Sequence, residues 1–320
     1  MTLSSSALQA AGIGLGYLAD AVIGDPQRWH PVAGFGRLAA ALEKRSYADR
    51  RCAGLVHVAV LTGTAIGPAL LLKRRARQGV AGLIVTSAAT WTVLGGRSLR
   101  REAQAVQRQL AAGDLVAARA QVRHLVGRDT LDLTREELAR ATVESVAENT
   151  SDAVVGPLFW GALTGIPGLL GYRVINTLDS MIGHRSPRYL RFGWAAARVD
   201  DAANWLPARL AALLTITLAP LVGGTPAAAW RAWRRDARQH PSPNAGVVEA
   251  CFAGALGLRL GGTNTYSGRT EERGFLGDGR PVEVADITRA RRLCHLVSTA
   301  SVALAITYGL VRLRRSPSPS

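Results

Sequence analysis

Four stretches of the chain stay apolar for roughly 18 to 20 residues, the length that crosses a hydrocarbon core. They are residues 53–72, 79–96, 206–224 and 293–311. Charges gather at their ends. Arg50 and Arg51 precede the first, and Lys73, Arg74 and Arg75 follow it. Arg97, Arg100 and Arg101 follow the second, and Arg312, Arg314 and Arg315 the fourth; Arg209 alone interrupts the third. Lipid solvation demands this arrangement. Two further runs are weaker: 7–24 contains Asp20, and 153–172 is broken by Pro157, Gly161, Gly165, Pro167 and Gly168. Such breaks are tolerated at membrane depth where protein satisfies the backbone, so a broken or re-entrant helix is expected there. The pattern predicts an all-α, polytopic integral membrane helical bundle with glycine-rich loops, one membrane-embedded domain over 1–315, multi-pass in the cell membrane.

Between the second and third runs the pattern turns amphipathic. Residues 98–152 read as a soluble-looking helical insertion: one helix ending at Gly113, a second from Asp114 to a stop at Gly127, and a third opening at Thr134, which has capping-box spacing to Glu137. Residues 183–187 read as a loop and 189–204 as helix. Thr225 opens a helix carrying Trp230 and Trp233 one turn apart among arginines, suited to a membrane interface or to packing on neighbouring helices. The region 240–290 is glycine-rich and irregular apart from a short helix near Ala250, with no alternating strand pattern. The SPSPS tail, 316–320, is expected to be disordered.

Composition sharpens this. The chain has 320 residues, 48% hydrophobic, and a formal net charge of +16. Lys44 and Lys73 are its only lysines, so the charge is arginine. A GC-rich genome and the membrane edges account for most of it, and an anionic substrate for some. Nucleic-acid binding is excluded, because the basic residues follow membrane edges and no recognition motif accompanies them. Cys52, Cys251 and Cys294 are far apart and imply neither a metal site nor disulfides. No basic segment precedes the first apolar run, so no cleavable signal is read. Lys73, Arg74, Arg75 and Arg77 predict a cytoplasmic turn. Whether residues 312–315 share that side depends on whether 153–172 crosses fully.

Candidate chemistry falls into four clusters. The first is GDPQRWHP, with Asp25, Arg28 and His30 beside a membrane edge. The second is ESVAENTSD: Glu144, Glu148 and Asp152 stand one helical turn apart on one face, with Asn149 beside them. Three acids in a stripe need a metal ion, arginines or shared protons, unless the stripe is only a solvated face. The third contains Asn176, Asp179 and His184, then Arg198, Asp200, Asp201 and Asn204. Such oxygen-rich sets suit magnesium, or serve as interhelical hydrogen bonds. The fourth contains Asn244, Glu249, Gly261, Gly262 and Asn264, then Gly277, Asp278 and Gly279. Glycine loops let backbone N–H groups approach phosphate. No P-loop, dinucleotide fingerprint, nucleophile elbow or zinc-protease motif is present.

Four long motifs then converge: GDPQRWHPVAGFGRL, VESVAENTSDAVVGPLFW, YRVINTLDSMIGHRSPRYLRFGWAAARVDDAANWLPARL, and SPNAGVVEACFAGALGLRLGG with LGDGR. With them the chain resembles the CobD/CbiB family of cobalamin-biosynthesis membrane proteins, the adenosylcobinamide-phosphate synthases, over about residues 17–287. Thr263 stands where that family has proline, and Gly274–Phe275 where Pro-Trp is frequent. The resemblance implies an ATP-dependent amide-forming ligase. It would join adenosylcobyric acid to (R)-1-amino-2-propanol or its O-phosphate, with the bilayer and other late corrinoid-assembly enzymes as partners. On it rest the expected roles. Glu144, Glu148, Asp152, Asp179 and Asp201 are catalytic, and Glu148, Asp152, Asp179 and Asp200 hold magnesium. Asp25, Arg28, His30, Asn149, Asn176, Arg198, Asn244, Glu249, Asn264 and Asp278 bind substrate, with Arg28, Arg173, Arg185 or Arg198 clamping phosphate.

Two other readings stay open. Broken helices with acids at depth also serve carriers, so a corrinoid transporter is one. A non-catalytic scaffold for corrinoid enzymes is the other.

Overall fold

The computed structural model describes residues 5–24, 30–75, 79–266 and 269–315. The helices are α1 (Ser5–Val22), α2 (Pro31–Ser46), α3 (Arg51–Arg75), α4 (Gly79–Val93), α5 (Gly96–Ala111), α6 (Leu115–Val122) and α7 (Arg135–Thr150). After a π-helical turn, Ser151–Val155, come α8 (Gly156–Thr164) and α9 (Ile166–Leu178). A second π turn, Asp179–Gly183, leads to α10 (Tyr189–Phe192), α11 (Trp194–Leu218), α12 (Pro226–Asp236) and α13 (Ala245–Leu256). A hairpin of β1 (Leu260–Tyr266) and β2 (Arg269–Leu276) precedes α14 (Asp286–Arg315). Among the described residues four segments are long and apolar enough to cross a membrane: Arg51–Arg74, Gly79–Ala111, Trp194–Val222 and Asp286–Leu313. The fold is that of an all-α membrane protein, as the apolar runs require.

The chain groups into two compact units. One comprises Met1–Gly95, Gly156–Asn204 and Ser301–Ser320; the other comprises Gly96–Val155 and Trp205–Ala300. In the first, α1 lies on α4 through two glycines four residues apart. A Cβ at Gly12 would sit 2.6 Å from the Thr86 Cβ, and one at Gly16 2.4 Å from the Thr90 Cβ. Small residues at this spacing let helix backbones approach where lipid offers no hydrophobic drive. The run 153–172 is broken at Gly165, whose φ is 76°, between α8 and α9. The core of this unit gathers Val58, Leu61, Leu178, Ile182 and Phe192. Buried Glu43 of α2 accepts from Arg188 Nη2 at 2.9 Å and Tyr189 Oη at 3.0 Å.

In the second unit α5 buries Leu99, Ala103, Val106 and Leu110, a stripe at helical spacing. The capping box at α7 is formed: the Glu137 N–H donates to Thr134 Oγ1 at 3.2 Å, and the Thr134 N–H donates to Glu137 Oε2 at 2.8 Å. Thr225 caps α12 in the same way as expected, accepting from the Ala228 N–H at 3.2 Å. Every residue of α13 is buried, the signature of a helix apolar all round. Residues 98–152, expected as an insertion, share this unit with the loop-rich 240–290 region.

Three expectations are corrected. The region read as free of strands contains the β1–β2 hairpin, paired antiparallel from Leu260↔Leu276 to Tyr266↔Arg269. Its strands, LGGTNTY and RTEERGFL, lack apolar alternation, and a register shift between Gly261 and Gly262 breaks the period further. The helix expected to reach Gly127 stops at Val122. There the chain turns back, held by Arg123 Nε on Thr130 Oγ1 at 3.1 Å and Ser145 Oγ on the Leu125 carbonyl at 2.8 Å. The helix expected over 189–204 is interrupted at Gly193, between α10 and a longer α11. The SPSPS tail lies outside the described residues.

Candidate functional site

In the second unit, α7, α13, the 125–128 loop, the turn at His240 and the hairpin together enclose a polar cavity of about 110 Å³. Its wall includes Arg128, Glu144, Ser145, Glu148, His240, Glu249, Gly261, Asn264 and Arg273. Each element delivers its group for a local reason. Glu144 and Glu148, one turn apart on α7, face the same way. Glu249 rides on buried α13. Gly261, with φ 81°, bends β1 so that its N–H donates to Glu144 Oε1 at 2.8 Å.

Glu144 is fully engaged. Its other oxygen pairs with Arg128 Nη2, and Arg140 Nη1 stands 3.9 Å from Oε1. Arg128 Nη1 also donates to the Asn264 side-chain oxygen, and Arg140 Nη2 donates to the Thr263 carbonyl at 3.1 Å. The hairpin is thus tied to α7 by charge-assisted hydrogen bonds. Glu148 and Glu249 differ. Burial raises the Glu148 carboxyl, Arg273 and Arg128 pull it back in part, and Glu144 pushes it up again. Burial, Glu144 and Glu148 hold Glu249 well above the usual carboxylate range. The two buried acids keep hold of protons that an exposed pair would release.

His240 is the third titratable group. Arg273 Nη1 lies 3.1 Å from its Nε2. A guanidinium only donates, so this contact needs Nε2 as acceptor. The Ser242 N–H donates to Nδ1 at 3.0 Å, which needs the ring proton on Nε2, so a neutral ring satisfies one of these two contacts at a time. Burial and Arg273 push the imidazole down to about 4. The ring is therefore neutral near pH 7, with Nε2 3.6 Å from Glu249 Oε1.

The sequence-derived residues divide. Glu144, Glu148, Glu249 and Asn264 line this cavity. Asp152, in the π turn that begins at Ser151, is not among its lining residues. Asn149 donates to the Ser145 carbonyl at 3.0 Å, Asn244 accepts from Arg209 at 2.6 Å, and exposed Asp278 pairs with Arg235 at 2.9 Å. In the first unit Asp200 receives Asn176 Nδ2 at 3.5 Å and Asn204 Nδ2 at 2.9 Å, while Tyr172 Oη donates to Asn204 Oδ1 at 2.6 Å. This is a polar network between α9 and α11. Asp201 pairs with exposed Arg198 at 3.6 Å. Asp179 opens a π turn, a device frequent at functional sites. His30 caps α2, its Nδ1 accepting from the Val32 N–H at 3.1 Å. Asp25 and Arg28 lie outside the described residues. Among the described residues no three His, Cys, Asp or Glu side chains are grouped to hold a metal ion.

Arg128, Arg273, His240 and Ser145 escaped the sequence reading. Arg128 follows Gly127 in a segment read as a helix end, and Arg273 lies on a strand with no strand signature.

The CobD/Cbib protein family profile matches residues 13–294. The cobalamin biosynthesis protein CobD of Mycobacterium tuberculosis is 52% identical over 321 residues, covering 99% of this chain and 100% of that one. A CobD of Pelobacter propionicus is 43% identical over 301 residues, 92% of each chain. A CbiB of Salmonella arizonae is 42% identical over 306 residues, 91% of this chain and 95% of that one. No solved structure matches.

Proposed function

The chain belongs to the CobD/CbiB family, and from that premise we propose that it acts in cobalamin biosynthesis as an ATP-dependent amide-forming ligase at the membrane. The acid is the free propionate of adenosylcobyric acid, and the amine is (R)-1-amino-2-propanol or its O-phosphate. A carboxylate does not react with an amine unaided. In the proposed sequence its oxygen attacks the γ-phosphorus of ATP, giving an acyl phosphate and ADP. A base first takes one proton from the ammonium; the freed amine nitrogen attacks the acyl carbon, phosphate leaves with the electron pair of the broken C–O bond, and the second nitrogen proton leaves with the phosphate.

The observation that supports this reading is the cavity in which Glu148 and Glu249 face Arg128 and Arg273. Guanidiniums suit phosphoryl oxygens, and buried carboxyls with raised proton affinity suit a base that must take an ammonium proton. A cavity of about 110 Å³ admits the reacting ends of the substrates and leaves the corrin ring outside. Glu249 is assigned to the ammonium. Arg273 and Arg128 orient the phosphoryl group, and neutral His240 keeps Arg273 in place. Glu144 is taken by Arg128 and Gly261 and Glu249 is assigned to the ammonium, which leaves Glu148 as the one carboxylate of this cavity for magnesium, a cation that would draw its other ligands from nucleotide phosphate and water. When bound at Glu148, magnesium would neutralise charge on the transferred phosphoryl group. Asp152, Asp179 and Asp200, expected beside it, have no part in this cavity.

The test is turnover by detergent-purified protein supplied with adenosylcobyric acid, ATP, magnesium and either amine, with corrinoids followed by mass spectrometry. Amide product with either amine supports the ligase. Tight corrinoid binding with no product from either would transfer the reading to a carrier or scaffold.

A further inference from the structure

The second unit carries a separate arginine cluster. Helix α5 starts at Gly96, three residues after apolar α4 ends at Val93. Helix α14 starts with the polar segment DITRARR and turns apolar from Leu293. Two contacts set these helices side by side: Gln107 Nε2 donates to Thr288 Oγ1 at 2.6 Å, and Arg291 Nε donates to the Arg100 carbonyl at 3.0 Å. The later residue on one helix meets the earlier on the other, so the pair runs antiparallel. Arg291, beside Arg100 near the start of α5, stands two residues before α14 turns apolar at Leu293.

On this flank Arg291 Nε reaches the Arg100 carbonyl, and Arg108, two turns beyond Arg100 on α5, follows Gln107, which binds Thr288 three residues before Arg291. No carboxylate pairs with Arg100, Arg108 or Arg291 among the described residues. The nearby acids are committed elsewhere. Glu102 of α5 takes Gln121, His124 at 3.3 Å and Arg101 at 3.5 Å. Asp286 of α14 takes Arg280 at 2.7 Å and Arg289 at 3.0 Å. Like charges held together without a counter-charge mark a place for an anion. Its position, where two helices enter apolar sequence, identifies the anion's source.

We propose that Arg100, Arg108 and Arg291 form a binding site for the phosphate headgroup of an anionic membrane phospholipid, its acyl chains lying along the apolar part of α14. The site is independent of the ligase cavity. It fastens the α5–α14 pair to the membrane surface and gives the protein a lipid requirement.

The experiment uses full-length protein in detergent, titrated with phosphatidylglycerol or phosphatidylcholine and read by native mass spectrometry. Each arginine near an anionic surface strengthens attraction several-fold, so R100Q/R108Q/R291Q should lower phosphatidylglycerol retention on the order of a hundredfold and leave phosphatidylcholine unchanged. R231Q/R234Q on α12, which removes exposed arginines elsewhere, should retain the lipid. R100K/R108K/R291K should recover most of it and guards against a folding defect in the glutamine protein. Equal retention of the two lipids by wild type, or wild-type retention by the triple glutamine protein, would overturn the site. Inorganic phosphate displacing phosphatidylglycerol at equal concentration would assign the cluster to a soluble anion and overturn the lipid.

Discussion

The Gly261 N–H donates to Glu144 Oε1 at 2.8 Å, joining residues 117 apart in sequence. With Arg128 on the other carboxylate oxygen, this one side chain fixes the hairpin, the 125–128 loop and α7 around the cavity. Arg128 and Glu144 side chains are only 5% and 8% exposed. Removing one partner strands a buried charge, which costs about 3–5 kcal/mol. Glu144→Ala should therefore lower the thermal midpoint in detergent sharply, while exposed Glu136→Ala should leave it within a degree or so of wild type. Similar midpoints for the two would mean the pair does not hold the site together.

The cavity's titrations run in opposite directions. The Glu148 and Glu249 carboxyls are raised, so the fold binds their protons more tightly than the unfolded chain does. Their contribution to stability is complete below the ordinary glutamate value of about 4.3 and is lost as pH rises through the raised folded values. His240 is depressed to about 4. Its contribution is complete above its ordinary value of about 6.5 and is lost as pH falls toward the folded one. Melting curves across pH should show Glu249→Gln flattening the alkaline decline and His240→Gln flattening the acid one. A Glu249→Gln curve parallel to wild type would mean the carboxyl is ionised in the fold.

Packing of α1 on α4 gives a third expectation. A side chain at Gly16 would collide with Thr90, whereas a Cβ at Gly63 of α3 meets nothing within 4 Å. Gly16→Val should reduce folded yield and thermal midpoint, by about 1–3 kcal/mol for overpacking. Gly63→Val should change neither. Equal tolerance would mean the two helices do not approach this closely in the membrane.

The sequence announced the helices because length and charge placement are physical requirements of lipid, legible at 53–72 or 293–311 without tertiary knowledge. Thr134 and Glu137 announced the start of α7 because a capping box is local. The hairpin stayed hidden because its polar strands take their register from Gly261 and from Glu144, far away in sequence. Half of the cavity stayed hidden for the same reason. Glu144 and Glu148 stood out as acids one turn apart, but nothing near Arg128, His240 or Arg273 in sequence says that they meet. Asp152 has the spacing of a third acid in the stripe, but it stands in the π turn after Thr150 and outside the cavity lining.

The central claim is that the Glu148–Glu249–Arg128–Arg273 cavity makes the amide. Wild type and Glu249→Gln would be compared for corrinoid amide and ADP formed from adenosylcobyric acid, ATP and the amine, with melting curves confirming that both are folded. Wild type should release one ADP per amide, and the folded Glu249→Gln protein should fall by about a hundredfold or more, as for loss of a general base. Wild-type turnover by Glu249→Gln would contradict the assignment of this cavity.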